Sequence, residues 1–309
     1  MLMAYNAYKI HKEKVMKDFV IITDSCSDLE KELREKYNID YVPMSFSCEG
    51  KEYSASLDWE SLSAPQFYNM MREGKIFKTA QVNAFQYKQK FTDYLKQGKD
   101  ILSISCSSGL SNSVNESKKV AKELLHKYPD NKIICIDSLN SCYGLGLICI
   151  TASTLRAEGR TIEEVAEYIE ANKLKVNQEC TVEKLTYLKK AGRVSAASAF
   201  FGGLLSVKPI IISDRKGNNN AVEKVKGRKS SIERIAERFA QEYEAHPYQK
   251  LFFAHADCEQ DVELLKTAVL SKIDATDLEI HTGYVGPIVG ASAGPGTIAV
   301  YFFGKEVQV

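Results

Sequence analysis

The sequence carries almost no surplus of charge. Its 41 Lys and Arg stand against 40 Asp and Glu, for a formal net charge of +1. A protein that tracks a phosphate backbone carries a clear basic excess, so no nucleic-acid partner is expected. Long apolar runs are also missing. The longest, near Leu145–Ala152, falls far short of the ~20 residues a membrane span needs. The N-terminal stretch holds Lys9, Lys12 and Lys14 but no apolar centre, so it does not read as a secretory signal. Met16 stands just before the first strand, and residues 1–17 read as an N-terminal extension. Of the 8 cysteines none forms a C-x-x-C pair or a zinc spacing, and the 5 histidines are dispersed. No metal is therefore expected. Scattered thiols, among them Cys135 and Cys149 in apolar runs, suit a reducing cytoplasm. There is no G-x-x-x-x-G-K-[ST] phosphate loop. Gly144-Leu145-Gly146 continues to Cys149 rather than to Gly or Ala, which leaves the dinucleotide fingerprint incomplete and favours helix packing for those glycines.

What is present is an alternation of strands and helices. A chain of 309 residues suggests about two domains at roughly 100–200 residues each. Apolar runs at Phe19–Thr23, Val42–Phe46, Ile101–Cys106 and Ile133–Asp137 predict strands. Helices are predicted between and after them, at about Asp28–Lys36, from Pro65 to Arg72, and at Phe85–Leu95, Leu110–Tyr128, Tyr143–Ala157 and Ile162–Asn172. Ser63 before Pro65, and Thr161 with Glu164 three residues on, are helix-start signals. Such alternation predicts a mostly parallel sheet covered on both faces. The second half has a hairpin signature: strand Pro209–Ser213, a turn at Gly217-Asn218-Asn219-Asn220 and strand Ala221–Val225. Helices Ser231–Ala245 and Gln260–Ile273 and strands Leu251–Ala254, Leu278–Tyr284 and Thr297–Phe303 follow. Residues Gly286–Gly296 read as a Gly/Pro-rich loop. The domains expected are 18–173, an N-terminal α/β domain, and 174–309, a C-terminal α/β domain.

Several short motifs invite a chemical reading. Gly290-Ala291-Ser292-Ala293-Gly294 fits G-x-S-x-G, but a nucleophile elbow needs a helix after the serine and a downstream acid and histidine. Pro295-Gly296 and an apolar run follow instead, and no histidine remains. A tight glycine turn between two strands is the simpler expectation, with Ser292 as a hydrogen-bond donor the other. Ser105, Ser107, Ser108, Ser111 and Ser113 crowd a strand-to-helix junction. There free N–H groups and the positive end of the helix dipole favour an anion, although ordinary N-capping accounts for serines equally well. The segment Arg215–Lys229, with Lys226, Arg228 and Lys229, is either a solvated hairpin or a docking face.

Taken in order, the motifs resemble the DegV family of fatty-acid-binding proteins, which includes the binding subunits of bacterial fatty acid kinase. The resemblance runs from about Phe19 to Val309. It rests on Thr23-Asp24-Ser25, Val42-Pro43-Met44, Lys78-Thr79-Ala80-Gln81 and Ser107-Ser108-Gly109-Leu110-Ser111. Further along it rests on Ala191-Gly192-Arg193-Val194-Ser195, Lys208-Pro209 and Lys224-Val225-Lys226-Gly227-Arg228-Lys229. Gly286-Pro287-Ile288-Val289-Gly290 and Gly294-Pro295-Gly296-Thr297 complete it.

The resemblance implies a two-domain α/β protein of DegV-like fold, its C-terminal sheet mixed, with the ligand between the domains. It implies that Thr79 and Ser111 hold a fatty-acid carboxylate, with Ser108 and Ser292 beside them. The tail would run into the C-terminal domain, along Phe200, Phe201, Leu204, Leu205 and Ile210. Where the family often has Ser and Pro, this chain has Ala80 and Val82, and Ser292 stands where many members carry His. No cofactor is implied beyond the bound long-chain fatty acid. The implied partner is a separate fatty acid kinase that makes the acyl phosphate, with Lys226, Arg228 and Lys229 as docking residues. Transient membrane contact is compatible with this, without a transmembrane segment. A lipid-binding sensor acting without a kinase, and a serine acyl hydrolase using Ser292, are the alternatives.

Physical chemistry agrees with such a site. A buried carboxylate must be hydrogen-bonded, and hydroxyls at a helix start supply donors. About fifteen methylenes at ~0.8 kcal/mol each give a gross ~12 kcal/mol, from which lost freedom removes several.

Overall fold

The computed structural model describes residues 17–195 and 206–308. Its first sheet is four-stranded and parallel, ordered β2 (Ile39–Val42), β1 (Phe19–Asp24), β6 (Asp100–Ser105), β7 (Ile133–Asp137). Every residue of β1 and β6 is buried, as expected of parallel strands covered on both faces. Helices α3 (Ala84–Leu95) and α4 (Ser113–Lys127) pack on this sheet, as do α1 (Lys31–Tyr37), α5 (Cys142–Ala157) and α6 (Ile162–Asn172). A small antiparallel sheet, ordered β4 (Lys51–Ser54), β3 (Ser45–Cys48), β5 (Phe77–Ala80), stands beside it. It is held to α2 (Ala64–Arg72) by ring contacts among Phe46, Phe67 and Phe77.

The later half forms a mixed seven-stranded sheet. Its order is β13 (Glu279–Tyr284), β12 (Lys250–His255), β14 (Ile298–Phe303), β8 (Val176–Thr181), β10 (Val207–Ser213), β11 (Asn219–Lys226), β9 (Val194–Ser195). Helices α8 (Arg228–Glu242) and α9 (Glu259–Leu270) cover one face over a core that includes Ile210, Ile235, Phe239, Phe253 and Phe302. On the other face lies α5, which also packs on β1, β2 and β6. This helix contains the apolar run Leu145–Ala152 and is buried almost all round, as a helix without a polar face must be. It makes the two sheets share one core. No described helix is long and apolar enough to cross a membrane.

Four sequence expectations change in detail. The strand expected over Val42–Phe46 is broken into β2 and β3, because Pro43 has no N–H to give to a ladder. The helix expected from Asp28 begins at Lys31. Before it, Ser25–Ser27 make one 3₁₀ turn capped by Asp24, and Asp28 takes a left-handed backbone (φ 54°). The helix expected from Leu110 begins at Ser113, which leaves Ser111 in the preceding loop.

The fourth change is the largest. The segment read as a glycine loop contains a helix, α10 (Pro287–Ala293), and Ser292 lies inside it rather than in a turn between strands. Pro287 suits its first turn, where no amide donor is needed. Its glycine serves packing: a Cβ at Gly290 would run into the hydroxyl of Tyr68, itself buried and bonded to the Val285 carbonyl. Helix α7 (Leu185–Ala191) packs against α10.

Gly290→Ala should therefore destabilise the protein by about 1–3 kcal/mol through overpacking. Pairing it with Tyr68→Phe should recover part of that loss, because the two sites touch. Urea unfolding of the two single variants and the double variant measures this; strictly additive losses would show that the contact is not the cause.

Candidate functional site

In an open α/β sheet the loops leaving adjacent strands diverge where the strand order reverses, and a crevice opens at the carboxyl ends. Here that point lies between β1 and β6, since the chain goes from β1 to β2 on one side and returns to β6 on the other. A cavity of about 520 Å³ occupies it. Cys26 lines it from the loop after β1, and Cys106, Ser108 and Ser111 from the loop after β6. Thr79 enters from β5 and Ser292 from α10, which packs against β5. The structure thus brings Thr79, Ser108, Ser111 and Ser292 to one cavity.

The loop after β6 is tied down by its own hydrogen bonds. Ser107 N–H donates to the Asn140 carbonyl and Ser111 N–H to the Ser107 carbonyl, both at 2.9 Å. Gly109 is required because the β10–β11 turn lies against it: an added Cβ would sit 2.6 Å from Asn218 Oδ1 and 3.0 Å from the Gly217 carbonyl. The turn of the hairpin is therefore packed against the first lobe rather than solvated.

The serines form a hydrogen-bonded chain. Val82 N–H donates to Ser113 Oγ at 3.2 Å, and Ser113 Oγ lies 3.0 Å from Ser111 Oγ. Ser113 N–H also donates to Ser111 Oγ at 3.3 Å. Either hydroxyl can donate in the Ser111–Ser113 contact; with Ser113 donating, Ser111 accepts twice and its own O–H is left for the cavity. Chains of this kind polarise one another and strengthen the terminal donor. The hydroxyls of Thr79, Ser108 and Ser292 have no hydrogen-bond partner among the described residues; Thr79 and Ser292 are half-buried and Ser108 is exposed. Neither histidine nor carboxylate lines the cavity among the described residues.

A second cavity of about 420 Å³ adjoins the first and shares Thr79, Arg193 and Ser292 with it. Its wall includes Lys78, Lys184, Lys190 and Arg193 and no acidic side chain. Arg193 Nη1 donates to the Ala191 carbonyl, but none of these four cations makes an ion pair among the described residues. Arg193 received no role from sequence reasoning, although it stands in one of the motifs read there. The available signal was Gly192, whose left-handed backbone (φ 64°) ends α7 and turns the next residue toward the cavity.

The remaining residues singled out from sequence are scattered. Phe200, Phe201, Leu204 and Leu205 lie outside the described residues. Ile210 is fully buried in the core beneath α8 and α9 and borders neither of these cavities. Lys226 and Lys229 are exposed. Arg228 is not part of an exposed hairpin: it is the first residue of α8, and its guanidinium is only 18% exposed, paired with Asp261 at 2.9 Å. Arg215, in the turn at the other end of the hairpin, is paired with Glu306. No group of three or more His, Cys, Asp or Glu side chains among the described residues is placed to hold a metal ion.

Behind the cavity two carboxyl groups are fully buried. Burial pushes Asp24 up to about 6, against the amides of Cys106 and Cys26 that favour its charged form. Burial likewise pushes Asp28 up to about 7; it packs against the Cys142 thiol and the start of α10 at Gly286. An unfolded aspartate titrates near 3.8. Between about pH 4 and 7 the folded protein therefore holds protons that the unfolded chain has released. The contribution of these groups is greatest below pH 4, falls as pH rises through 6–7, and is flat above. Asp28→Asn should raise stability at pH 8 relative to the parent, on the order of 2–4 kcal/mol, with the difference shrinking toward pH 5. Urea unfolding of both proteins at pH 5 and 8 measures it; a difference independent of pH would contradict the assignment.

The comparisons with known proteins agree with this architecture. The sequence matches the DegV family, described as uncharacterised proteins, over residues 18–305. A DegV domain-containing protein of Clostridium perfringens is 37% identical over 293 residues, covering 95% of this chain and 100% of the relative. A DegV family protein from Thermus thermophilus, solved for its fatty acid binding, superposes with a TM-score of 0.81 at 25% identity, covering 93% of this chain and 100% of that one. DegV from Bacillus subtilis, a fatty acid binding protein, gives 0.79 at 25% identity, covering 94% and 100%. With its sequence and its fold in agreement, the chain belongs to the DegV family.

Proposed function

We propose that this protein binds a long-chain fatty acid, holds its carboxylate in the hydroxyl-lined cavity, and presents it to a separate kinase without transforming it. The observation that carries the reading is the convergence of open hydroxyl donors, Ser111 and Thr79 above all, on a cavity without acidic side chains. An ionised carboxylate needs such donors when it leaves water. The solved relatives that bind fatty acid add support. A serine hydrolase is disfavoured: Ser292 lies within a helix rather than at an elbow before one, and among the described residues no histidine lines its cavity.

The basic cavity supports the kinase half of the reading. Lys78, Lys184, Lys190 and Arg193 stand beside the carboxylate position, where a transferred phosphoryl group adds negative charge. The described residues contain no phosphate loop of their own. The tail has Phe200, Phe201, Leu204 and Leu205 as its proposed wall, while Ile210 backs the sheet from the far core. Lys226 and Lys229 remain the proposed docking residues, with Arg228 tying them to α9 through Asp261.

Organic extraction of purified protein followed by mass spectrometry tests the binding. The expected result is a fatty acid of roughly fourteen to eighteen carbons, a length whose methylenes supply the required transfer energy. Protein that yields none, and that neither binds added palmitate nor gains melting temperature from it, would sink the proposal. Thr79→Ala and Ser111→Ala should each weaken palmitate binding by about 1–3 kcal/mol, since each removes a donor to a charged acceptor. Unchanged affinity in both variants, by titration, would place the head group elsewhere.

The double variant Lys226→Glu/Lys229→Glu should keep palmitate affinity but slow phosphorylation of the bound lipid by a purified fatty acid kinase with ATP. The defect should be larger at low salt, because electrostatic docking is screened. Parent-like turnover at both low and moderate salt would reduce these lysines to a solvated face.

A further inference from the structure

The floor of the head-group cavity is made of sulfur as well as hydroxyls. Cys26, just after β1, and Cys106, just after β6, both line it and are 3% and 1% exposed. They are brought together by one carboxylate. Asp24 accepts from Cys26 N–H at 3.0 Å and, through its other oxygen, from Cys106 N–H at 2.8 Å. The Cys26 thiol donates to Met44 Sδ, another lining atom, at 3.7 Å, and the Cys26 and Cys106 thiols are close enough to perturb each other's ionisation. Both thiols are free, and no other cysteine lines this cavity. Ser108 and Asn112 at the rim are exposed, so the space reaches solvent.

Buried cysteines are ordinarily small hydrophobes, inert because nothing reaches them. These two differ in lining one space that a small oxidant can enter, with their backbones tied to one carboxylate. We propose that Cys26 and Cys106 are a redox-responsive pair that closes to a disulfide when the cavity is empty and is protected when a fatty acid fills it. The protection rests on the proposed lipid site; the pairing itself does not.

The oxidant is a hydroperoxide from solution. Because the Cys26 thiol is engaged with Met44 Sδ, Cys106 is the attacking sulfur. Its thiolate takes the distal peroxide oxygen, the O–O bond breaks, and the departing hydroxide gains a proton to become water. The Cys26 sulfur then attacks the resulting sulfenic acid, the S–O bond breaks, and the hydroxide leaves as water with the Cys26 proton. Two thiols and one hydrogen peroxide give one disulfide and two waters. The neighbouring Cys106 sulfur and then burial hold the Cys26 thiol above its ordinary range. Cys106, lowered by its neighbour, is still held above it by burial and nearby carboxylates, so the reaction is slow at neutral pH and needs a long incubation.

The experiment incubates the full-length, lipid-free protein with hydrogen peroxide, quenches free thiols by alkylation, and maps peptides without reduction. The expected product is a Cys26–Cys106 cross-link, lost in Cys106→Ser and in Cys26→Ser. At free palmitate about 100 times its Kd, the empty fraction and with it the cross-linking rate should fall about 100-fold. A parallel titration of the reduced protein shows whether palmitate binds at all. Absence of the cross-link, its formation between other cysteines, or accumulation of a Cys106 sulfinic acid in its place overturns the pairing. Palmitate that binds the reduced protein yet leaves the rate unchanged overturns the protection while the lipid-binding reading stands. Palmitate that does not bind overturns that reading and the protection together, and leaves the cross-link as the sole measure of the pair.

Discussion

The geometry of the site depends on one buried carboxylate. Asp24 stands at the end of β1 and accepts from the backbone of Cys26 in its own loop and of Cys106 at the end of β6. Adjacent parallel strands diverge at their carboxyl ends, and without this bridge the two loops have no shared anchor at the crevice. With it, the turn Ser25–Ser27 and the loop Cys106–Asn112 become one floor. Keeping a carboxyl group at zero exposure costs solvation, visible as a rise to about 6. The amide hydrogen bonds offset part of that cost.

From this floor the rest of the cavity is assembled by long-range packing. Val82, after β5, donates to Ser113 and so fixes the edge strand carrying Thr79 against the start of α4. The β10–β11 turn presses on Gly109, and Ser213 Oγ donates to the Leu139 carbonyl at 2.8 Å, which seats the second lobe on the first. Helix α5 lies between both sheets, so neither lobe closes its core without the other. The hydroxyl-lined cavity is thus a property of the assembled chain rather than of either sheet.

Much of this was legible in the sequence because it is local. The runs Phe19–Thr23, Ile101–Cys106 and Ile133–Asp137 are apolar and β-rich, and the N-cap at Ser63 and the capping box at Thr161 form as expected. The clustering of Thr79, Ser108, Ser111 and Ser292 followed from family motifs, not from periodicity. What was illegible is what tertiary packing decides. Helix α10 is short and carries Gly290 at its centre, where propensity argues against a helix, yet the close approach of Tyr68 demands that glycine. The small sheet β4-β3-β5 consists of strands too short to show alternation. Arg228 looked like part of a basic surface because its partner Asp261 is distant in the chain. The Cys26–Cys106 contact was hidden for the same reason.

The measurement that bears most directly on the account is a crystal structure of the protein with palmitate bound. A carboxylate held by the hydrogen-bonded serines and by β5 places its oxygens within about 3.2 Å of both Ser111 Oγ and Thr79 Oγ1, the ordinary range for such donors. A carboxylate found instead among Lys78, Lys184, Lys190 and Arg193, or a palmitate lying away from both cavities, would contradict it.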